Sequence, residues 1–159
     1  RRQAILRETV QWLATCREQS QNAARANLKR WQKEAAKQGV QKEGIVVLSG
    51  DWGVVTSSLT KRHGVCFAVL NMANAYCPGG GYVEGMPAQE ENMFRRTDCH
   101  FSIDRSTLDP SSELYLPEDT DLLSATQGRV YLDTKTPRVC VRGPEDRNST
   151  QLGYEWLQE

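Results

Sequence analysis

The chain has 159 residues, of which 38% are hydrophobic and 25% charged, a composition that suits one globular domain and excludes wholesale disorder. Its apolar runs are far shorter than the ~20 residues of a membrane-spanning helix, so we expect no membrane partner. Formal net charge is zero, but residues 1–43 hold ten basic side chains against four acidic ones. This excess fits a solvated helix surface or a surface that touches nucleic acid or anionic lipid. We expect no specific nucleic-acid partner.

Cysteine usage indicates a reducing compartment, and we predict a cytoplasmic protein. The five cysteines are odd in number and form no CxxC pair, which argues against a disulfide framework and a structural zinc site. Cys99 lies next to His100, but adjacent residues are poorly spaced as metal ligands. We therefore expect no metal and no cofactor. The first residue is Arg1 rather than Met, so we expect a fragment or a processed chain.

Residues 1–38 are the first predicted element and have a helical pattern. Leu6, Val10 and Leu13 share one face, and a polar stretch in the middle leaves open whether there are one or two helices. Gly39 is a plausible end. We predict that residues 1–43 form a helical segment packed on a core of residues 44–159.

After residue 43 the pattern predicts strands. Residues 45–48 and 65–70 are continuous apolar runs, typical of strands buried on both faces of an α/β sheet. A glycine turn and a helix over residues 88–97 follow. Residues 104–127 resemble a long surface loop, and residues 129–132 and 139–141 are predicted as short strands.

The stretch most informative about chemistry places three glycines seven residues before a glutamine and two glutamates. Gly79-Gly80-Gly81 lets the backbone approach a ligand, and successive N–H groups there could cradle a diphosphate. Adjacent helical residues point about 100° apart, so one glutamate of the pair can face a ligand while the other holds a neighbouring group. A nearby diphosphate and an apolar wall would keep the facing glutamate protonated as an acid.

This spacing resembles the signature of poly(ADP-ribose) glycohydrolases, especially the bacterial type within the macrodomain superfamily. Asn71-Met72-Ala73-Asn74 and Met93-Phe94-Arg95-Arg96 also resemble that family, and the likeness is good over residues 45–100. The resemblance implies an α/β, macrodomain-like mixed sheet flanked by helices. It also implies that the chain lacks the C-terminal part of that fold, with its second phosphate loop and part of the adenine pocket.

The resemblance further implies roles for individual residues. Glu91 is the catalytic acid/base, and Glu90 holds the ribose hydroxyl next to the scissile bond. Asn74 bonds the distal ribose, while Gln89 supports the loop. Apart from the resemblance, the position of Tyr82 directly after the glycines would allow its ring to stack on that ribose. The predicted ligand contacts all lie on this loop and its flanks: Asn74, Gly79, Gly80, Gly81, Tyr82 and Gln89.

These roles predict an ADP-ribosyl glycohydrolase that removes ADP-ribose from polymer or from modified protein. The expected partners are ADP-ribose, poly(ADP-ribose) or ADP-ribosylated protein, and we expect a monomer. One alternative is a macrodomain reader that binds ADP-ribose without cleaving it, since only the enzyme needs Glu91. Another is an α/β interaction domain with an incidental motif, which would give no heat on titration with ADP-ribose.

Overall fold

The computed structural model describes residues 1–39, 44–125, 128–129, 131–132 and 137–158. Within these ranges the regular elements are four α-helices and two short 3-10 helices. The α-helices are α1 (Arg2–Gln38), α2 (Trp52–His63), α3 (Gln89–Arg96) and α4 (Pro117–Leu123). The 3-10 helices span Cys99–Ser102 and Arg105–Thr107.

The α/β, macrodomain-like mixed sheet that we expected is not present in these ranges, and that prediction was wrong. Pairing between strands is limited there to four isolated bridges: Thr97 with Cys140, Leu108 with Tyr115, Arg142 with Trp156, and Glu145 with Gly153. An apolar run shows that a segment suits a buried strand, but a strand forms only when a neighbour completes its ladder of hydrogen bonds.

Each of the four predicted strands departs from expectation in its own way. Residues 45–48 and 65–70 carry no strand pairing, and Ile45 and Val47 are 102% and 93% exposed. Residues 139–141 contribute only the bridge at Cys140. In the predicted strand 129–132, residue 130 lies outside the described residues, and the described ones are unpaired.

Helix α1 confirms the predicted N-terminal helix and resolves its open question, because it is one continuous element of 37 residues. It ends at Gly39, whose φ of 61° is the left-handed conformation that glycine adopts most readily. Its buried residues, Ile5, Leu6, Thr9, Leu13 and Ala35, face the rest of the chain. The division at residues 43 and 44 stays a prediction, since residues 40–43 are outside the described ranges.

Helix α2 was not predicted, and it has clear signals at both ends. Asp51 caps its first turn by accepting hydrogen bonds from the Gly53 and Val54 amides, both at 3.0 Å. Gly64 ends it in the left-handed conformation, with a φ of 65°. A Cβ at Gly64 would lie 2.5 Å from Cα of Gln32, so this glycine lets α2 approach the second half of α1.

Buried charged side chains, together with the apolar Phe94, join α3 to the rest of the molecule. Arg96 is 1% exposed and holds both carboxylate oxygens of Asp51 at 2.8 and 2.9 Å. Its guanidinium carbon also lies 4.5 Å from the Trp52 ring centroid. Burial raises the pKa of Asp51, but the hydrogen bond and charge of Arg96, with the capping amides, hold that pKa below its usual value.

The C-terminal segment packs on α1 and α3 from the other side. Tyr154 is 1% exposed, and its hydroxyl accepts hydrogen bonds from Asn92 Nδ2 and Arg95 Nε, both at 3.0 Å. On α1, Thr9 Oγ1 donates to the Arg95 carbonyl at 2.9 Å. Helix α3 is therefore held on three sides, by α1, by the start of α2 and by the C-terminal segment, and its first turn has a defined position.

Candidate active site

The two glutamates of the motif lie in the first turn of α3 and are buried. The predicted helix over residues 88–97 is confirmed as Gln89–Arg96. Acidic residues in its first turn and arginines in its last turn both suit the helix dipole. Glu90 is 5% exposed and Glu91 is 8% exposed. Since glutamate is rarely buried without partners, the contacts of each carboxylate define the site.

Three donors from the preceding segment surround the Glu90 carboxylate. Oε1 accepts from Asn71 Nδ2 and from the Gly79 amide, both at 3.2 Å, and Oε2 accepts from the Asn74 amide at 2.7 Å. Burial raises the pKa of Glu90, the three hydrogen bonds oppose that rise, and the charge of Glu91 adds to it. The net pKa lies above the ordinary value, so Glu90 is held in one orientation with an increased proton affinity.

Glu91 has one satisfied oxygen and one that is not. Its Oε1 accepts from the Gly81 amide at 3.0 Å. Its Oε2 is buried and has no hydrogen-bond partner among the described residues. A buried carboxylate oxygen without a donor is costly, and such groups are frequent where a protein binds a ligand or transfers a proton.

The glycine loop, residues 79–81, covers both carboxylates. Gly80 has a φ of 54°, and a Cβ there would lie 2.5 Å from Oε1 of Glu91, so only glycine fits this contact. We expected an exposed loop whose amides face a diphosphate. Instead Gly79 and Gly80 are buried, and the Gly80 amide donates to the Cys77 carbonyl at 3.0 Å. All three amides are therefore engaged within the protein, and the contact of these glycines with a ligand stays a prediction.

Gln89 and Asn74 shape the segment that leads into the loop. The Gln89 side chain accepts from the Met72 amide and donates to the Leu70 carbonyl, each at 2.8 Å, so it holds this extended segment as a neighbouring strand would. Asn74 Oδ1 accepts from the Tyr76 and Cys77 amides at 2.8 and 2.9 Å and closes a turn before the glycines. Both residues organise the loop, while their contact with a ligand is untested.

Tyr82 faces the interior. Its ring is 8% exposed and lies 4.6 Å from the Phe94 ring, centroid to centroid. Its hydroxyl lies 2.9 Å from His100 Nδ1. Burial, and secondarily the charge of Arg105, lower the pKa of His100, which favours a neutral ring in this pair. Little of the Tyr82 ring is left for the predicted stacking on ribose, and that role stays a prediction.

Two residues that sequence reasoning did not single out lie beside Glu90. Asn71 donates to its carboxylate, and Asn71 Oδ1 is buried without a partner among the described residues. Burial, with the charges of Glu90 and Cys77, raises the pKa of Tyr115 to about 12. Asn71 belongs to the quoted motif and could have been found there. Tyr115 comes from the predicted surface loop, and no local pattern marks it.

A large open cleft gives access to this region. Its volume is about 2190 Å³, and its lining includes Asn71, Ala73, Pro78, Glu90 and Tyr115. Glu91 does not line it, because the glycine loop lies over its carboxylate. Glu90 is therefore the carboxylate that a molecule in the cleft meets first.

The described residues hold no group of three or more His, Cys, Asp or Glu side chains that could bind a metal ion. Among the described helices, none combines the length and the apolar character that crossing a membrane requires.

Two buried carboxylates in one helical turn, one with an unpartnered oxygen, form the kind of site that moves protons in hydrolytic reactions. A family model described as the microbial-type PARG catalytic domain matches residues 6–131. The chain therefore belongs to this family of poly(ADP-ribose) glycohydrolases, which are glycoside hydrolases acting on poly(ADP-ribose). The resemblance to poly(ADP-ribose) glycohydrolases is thus confirmed, although the match tests neither the macrodomain superfamily nor the spacing of the glycines and glutamates. No curated protein and no solved structure matches the chain.

Proposed function

We propose that this chain binds ADP-ribose at the glycine loop and hydrolyses the glycosidic bond between units of poly(ADP-ribose), with Glu91 as the acid/base. The observation that supports this most is the Glu91 carboxylate, which is 8% exposed and has one oxygen bonded to Gly81 and the other without a partner. The bonded oxygen fixes the orientation of the side chain. The unpartnered oxygen is the one that can give a proton to a substrate oxygen and take it back.

The reaction breaks the bond between the anomeric carbon and the oxygen of the leaving ribose. Glu91, protonated, gives its proton to that oxygen as an oxocarbenium-like centre develops. The Glu91 carboxylate then takes a proton from the attacking water, so the enzyme returns to its starting state. Glu90 accepts a hydrogen bond from the ribose hydroxyl next to this bond. Its three donors, Asn71, Asn74 and Gly79, hold it in place for that contact.

Binding and proton transfer require a movement of the glycine loop. The cleft reaches Glu90, whereas the loop covers Glu91, so a substrate oxygen gains hydrogen-bond distance to Glu91 only when residues 79–81 shift. We propose that the backbone of Gly79, Gly80 and Gly81 then lies against the substrate, near its distal ribose and diphosphate. Asn74, Tyr82 and Gln89 flank this loop and are proposed to complete the ligand site.

The first prediction is that Glu91→Gln abolishes hydrolysis and retains ADP-ribose binding. Glutamine keeps the acceptor for the Gly81 amide but transfers no proton, and losing an acid/base costs roughly 10²–10⁴-fold in rate. Release of ADP-ribose from poly(ADP-ribose) measures the rate, and titration calorimetry with ADP-ribose measures binding. Glu84→Gln, the same change at an exposed glutamate in the turn that follows the glycines, is the control.

The outcomes separate the competing functions. Unchanged turnover in Glu91→Gln would remove Glu91 from the mechanism. Binding of ADP-ribose by the wild-type chain without any product would identify a reader rather than an enzyme. The absence of both binding and product would support the incidental-motif interpretation. A parallel assay on mono-ADP-ribosylated protein tests whether the site also accepts that substrate. A monomeric, cytoplasmic protein and a separate N-terminal segment remain our predictions.

A further inference from the structure

The second half of α1 carries an excess of positive charge that the proposed chemistry does not use. Residues 19–39 contain five basic side chains and one acidic side chain, Glu34. Four of the basic ones follow each other at intervals of four residues: Arg25, Lys29, Lys33 and Lys37. All four are exposed. We call this row the basic stripe.

Helical geometry makes the stripe a continuous feature. Residues four apart are neighbours on a helix surface, and 1.5 Å of rise per residue gives the stripe a length of roughly 18 Å. Like charges at this spacing destabilise an isolated helix by about 0.2–0.5 kcal/mol per pair. These side chains are exposed, and Arg25 donates to Asn22 Oδ1 at 3.0 Å on the helix surface, so the fold gains little from the row, whereas a bound polyanion would offset the repulsion.

The neighbouring helix raises the positive potential further. Helix α2 contains no acidic residue and ends with Lys61, Arg62 and His63. Its last turn packs where α1 carries Trp31. The Trp31 ring has Lys61 Nζ 5.5 Å and Arg30 Cζ 5.9 Å from its centroid. This end of the helix pair is therefore strongly cationic and holds an aromatic side chain among its cations.

The buried face of the first half of the same helix packs against the loop and the helix that carry the candidate active site. Leu6 packs in one apolar cluster with Tyr82 and Phe94, and Gln3 Nε2 donates to the Val83 carbonyl at 3.2 Å. Thr9 donates a hydrogen bond to α3, and the rise along α1 from Thr9 to Arg25 is roughly 24 Å. A polymer with one end in the active site and its remainder along α1 would reach the stripe after a few units.

We propose that the basic stripe binds diphosphate groups of poly(ADP-ribose) units remote from the bond being cleaved. This inference rests on the proposed function, since it assigns the polymeric substrate a second contact with the enzyme. The stripe suits a chain of regularly repeated negative charges better than a single ADP-ribose, which would occupy the active site alone. Such contacts release counterions, so they make affinity depend on salt concentration.

The test compares long poly(ADP-ribose) with a short oligomer as substrates of the whole chain. In Lys29→Glu/Lys33→Glu, KM for the long polymer should rise about tenfold, while kcat and the kinetics of the short oligomer stay unchanged, because only remote phosphate contacts are lost. The slope of log KM for the long polymer against log salt concentration should fall by about 1.4, on the basis of about 0.7 for each single-strand phosphate contact.

Two further variants control for the change in charge. Lys29→Arg/Lys33→Arg keeps both positive charges and should behave as wild type. Arg7→Glu/Gln11→Glu/Ala14→Glu gives the same overall charge change on the exposed face of the first half of α1, and it should leave the preference for long polymer intact. An equal rise of KM in this control would show a general field effect and would overturn a local contact at the stripe.

The remaining outcomes separate this inference from the proposed function. If the wild-type chain cleaves neither substrate, the proposed function fails. If it cleaves both and the Lys29→Glu/Lys33→Glu variant matches wild type on long polymer, the function stands and the stripe has no role in binding. A further experiment measures whether single-stranded RNA of similar charge competes with poly(ADP-ribose) for the basic stripe. RNA that binds the stripe more tightly than the polymer does would overturn the assignment to poly(ADP-ribose).

Discussion

The segment from the glycine loop to the end of α3 and the extended segments before it show opposite relations between polarity and burial. Glu90, Arg95 and Arg96 are 5%, 0% and 1% exposed, although they are charged. Val47 and Leu70 are 93% and 62% exposed, although they are apolar. Glu90 and Arg96 are buried where hydrogen-bond partners surround their charged groups, while the apolar runs lack a neighbouring strand. Arg95 is the exception, because its Nε donates to Tyr154 but its two terminal nitrogens have no partner among the described residues. Burial in this molecule follows the supply of partners more closely than it follows hydropathy.

The ion pair between Asp51 and the buried Arg96 tests this comparison first, because a substitution there should have the largest effect on stability. Asp51→Asn keeps a residue that caps helices well but removes the negative charge that both guanidinium nitrogens contact. Removing one partner of a buried pair leaves an uncompensated charge, and we expect a loss of about 3 kcal/mol in the free energy of unfolding. Urea denaturation measures it.

The lowered pKa of Asp51 also predicts how the stability difference between wild type and Asp51→Asn changes with pH. The pKa of Asp51 is lowered in the folded chain, so its contribution to stability is present above the pKa of the unfolded chain and is lost as pH falls through the folded value. The difference between wild type and Asp51→Asn should therefore be largest near neutral pH and shrink in acid. Asp146→Asn, at an exposed aspartate that accepts from the Asn148 amide in its own turn, should cost much less. Equal losses in the two variants would contradict a special role for the Arg96 pair.

A smaller effect is expected at Asn71, which links the extended segment to the active site. Asn71→Ala removes a hydrogen bond that favours the ionised form of Glu90, so the pKa of Glu90 should rise further. If Glu90 accepts the ribose hydroxyl as a carboxylate, the acidic limb of the pH–rate profile moves to higher pH. We expect a loss of stability of about 1.5 kcal/mol from the lost charged hydrogen bond.

Asn148→Ala, at an exposed asparagine whose backbone amide bonds Asp146 rather than Glu90 or Glu91, is the matched control and should leave the profile unchanged. An Asn71→Ala variant with a wild-type pH profile would show that Asn71 does not influence the ionisation of Glu90 in the working enzyme. A change in stability alone would leave Asn71 with a purely structural role.

The sequence predicted those parts of the molecule whose signals are local. The helix around Leu6 follows from apolar spacing, the helix over residues 88–97 follows from its place after the glycine turn, and the glutamates follow from their distance to the glycines. Helix α2 has equally local signals, a capping Asp51 and a closing Gly64, but no apolar run marks it. By contrast, the sheet was wrongly predicted, because whether an apolar run such as residues 45–48 pairs with another strand is not a local property.

The candidate site divides in the same way. The positions of Glu90 and Glu91 in one helical turn follow from the motif, and the helix dipole explains why acids suit it. The inward direction of the loop amides does not follow from the motif, because it depends on how α3 is held by Asp51 and Tyr154. The proximity of Tyr115 to Glu90 likewise arises from tertiary packing across 25 positions of chain.

The smallest effect is expected in the extended segment, and it tests the other side of the comparison. Val47→Ser removes an apolar side chain that is 93% exposed, so little apolar area leaves contact with the protein and stability should change by less than about 0.5 kcal/mol. Val141→Ser makes the same change at a valine that is 6% exposed and packs with Leu13 and Val139. There the lost burial, the cavity and a buried hydroxyl should together cost about 3 kcal/mol. Urea denaturation of both variants beside wild type gives the ratio directly. A loss at Val47 that approaches the loss at Val141 would mean that residues 45–48 are covered in solution, and the contrast between a partnered α3 and an unpartnered extended segment would no longer hold.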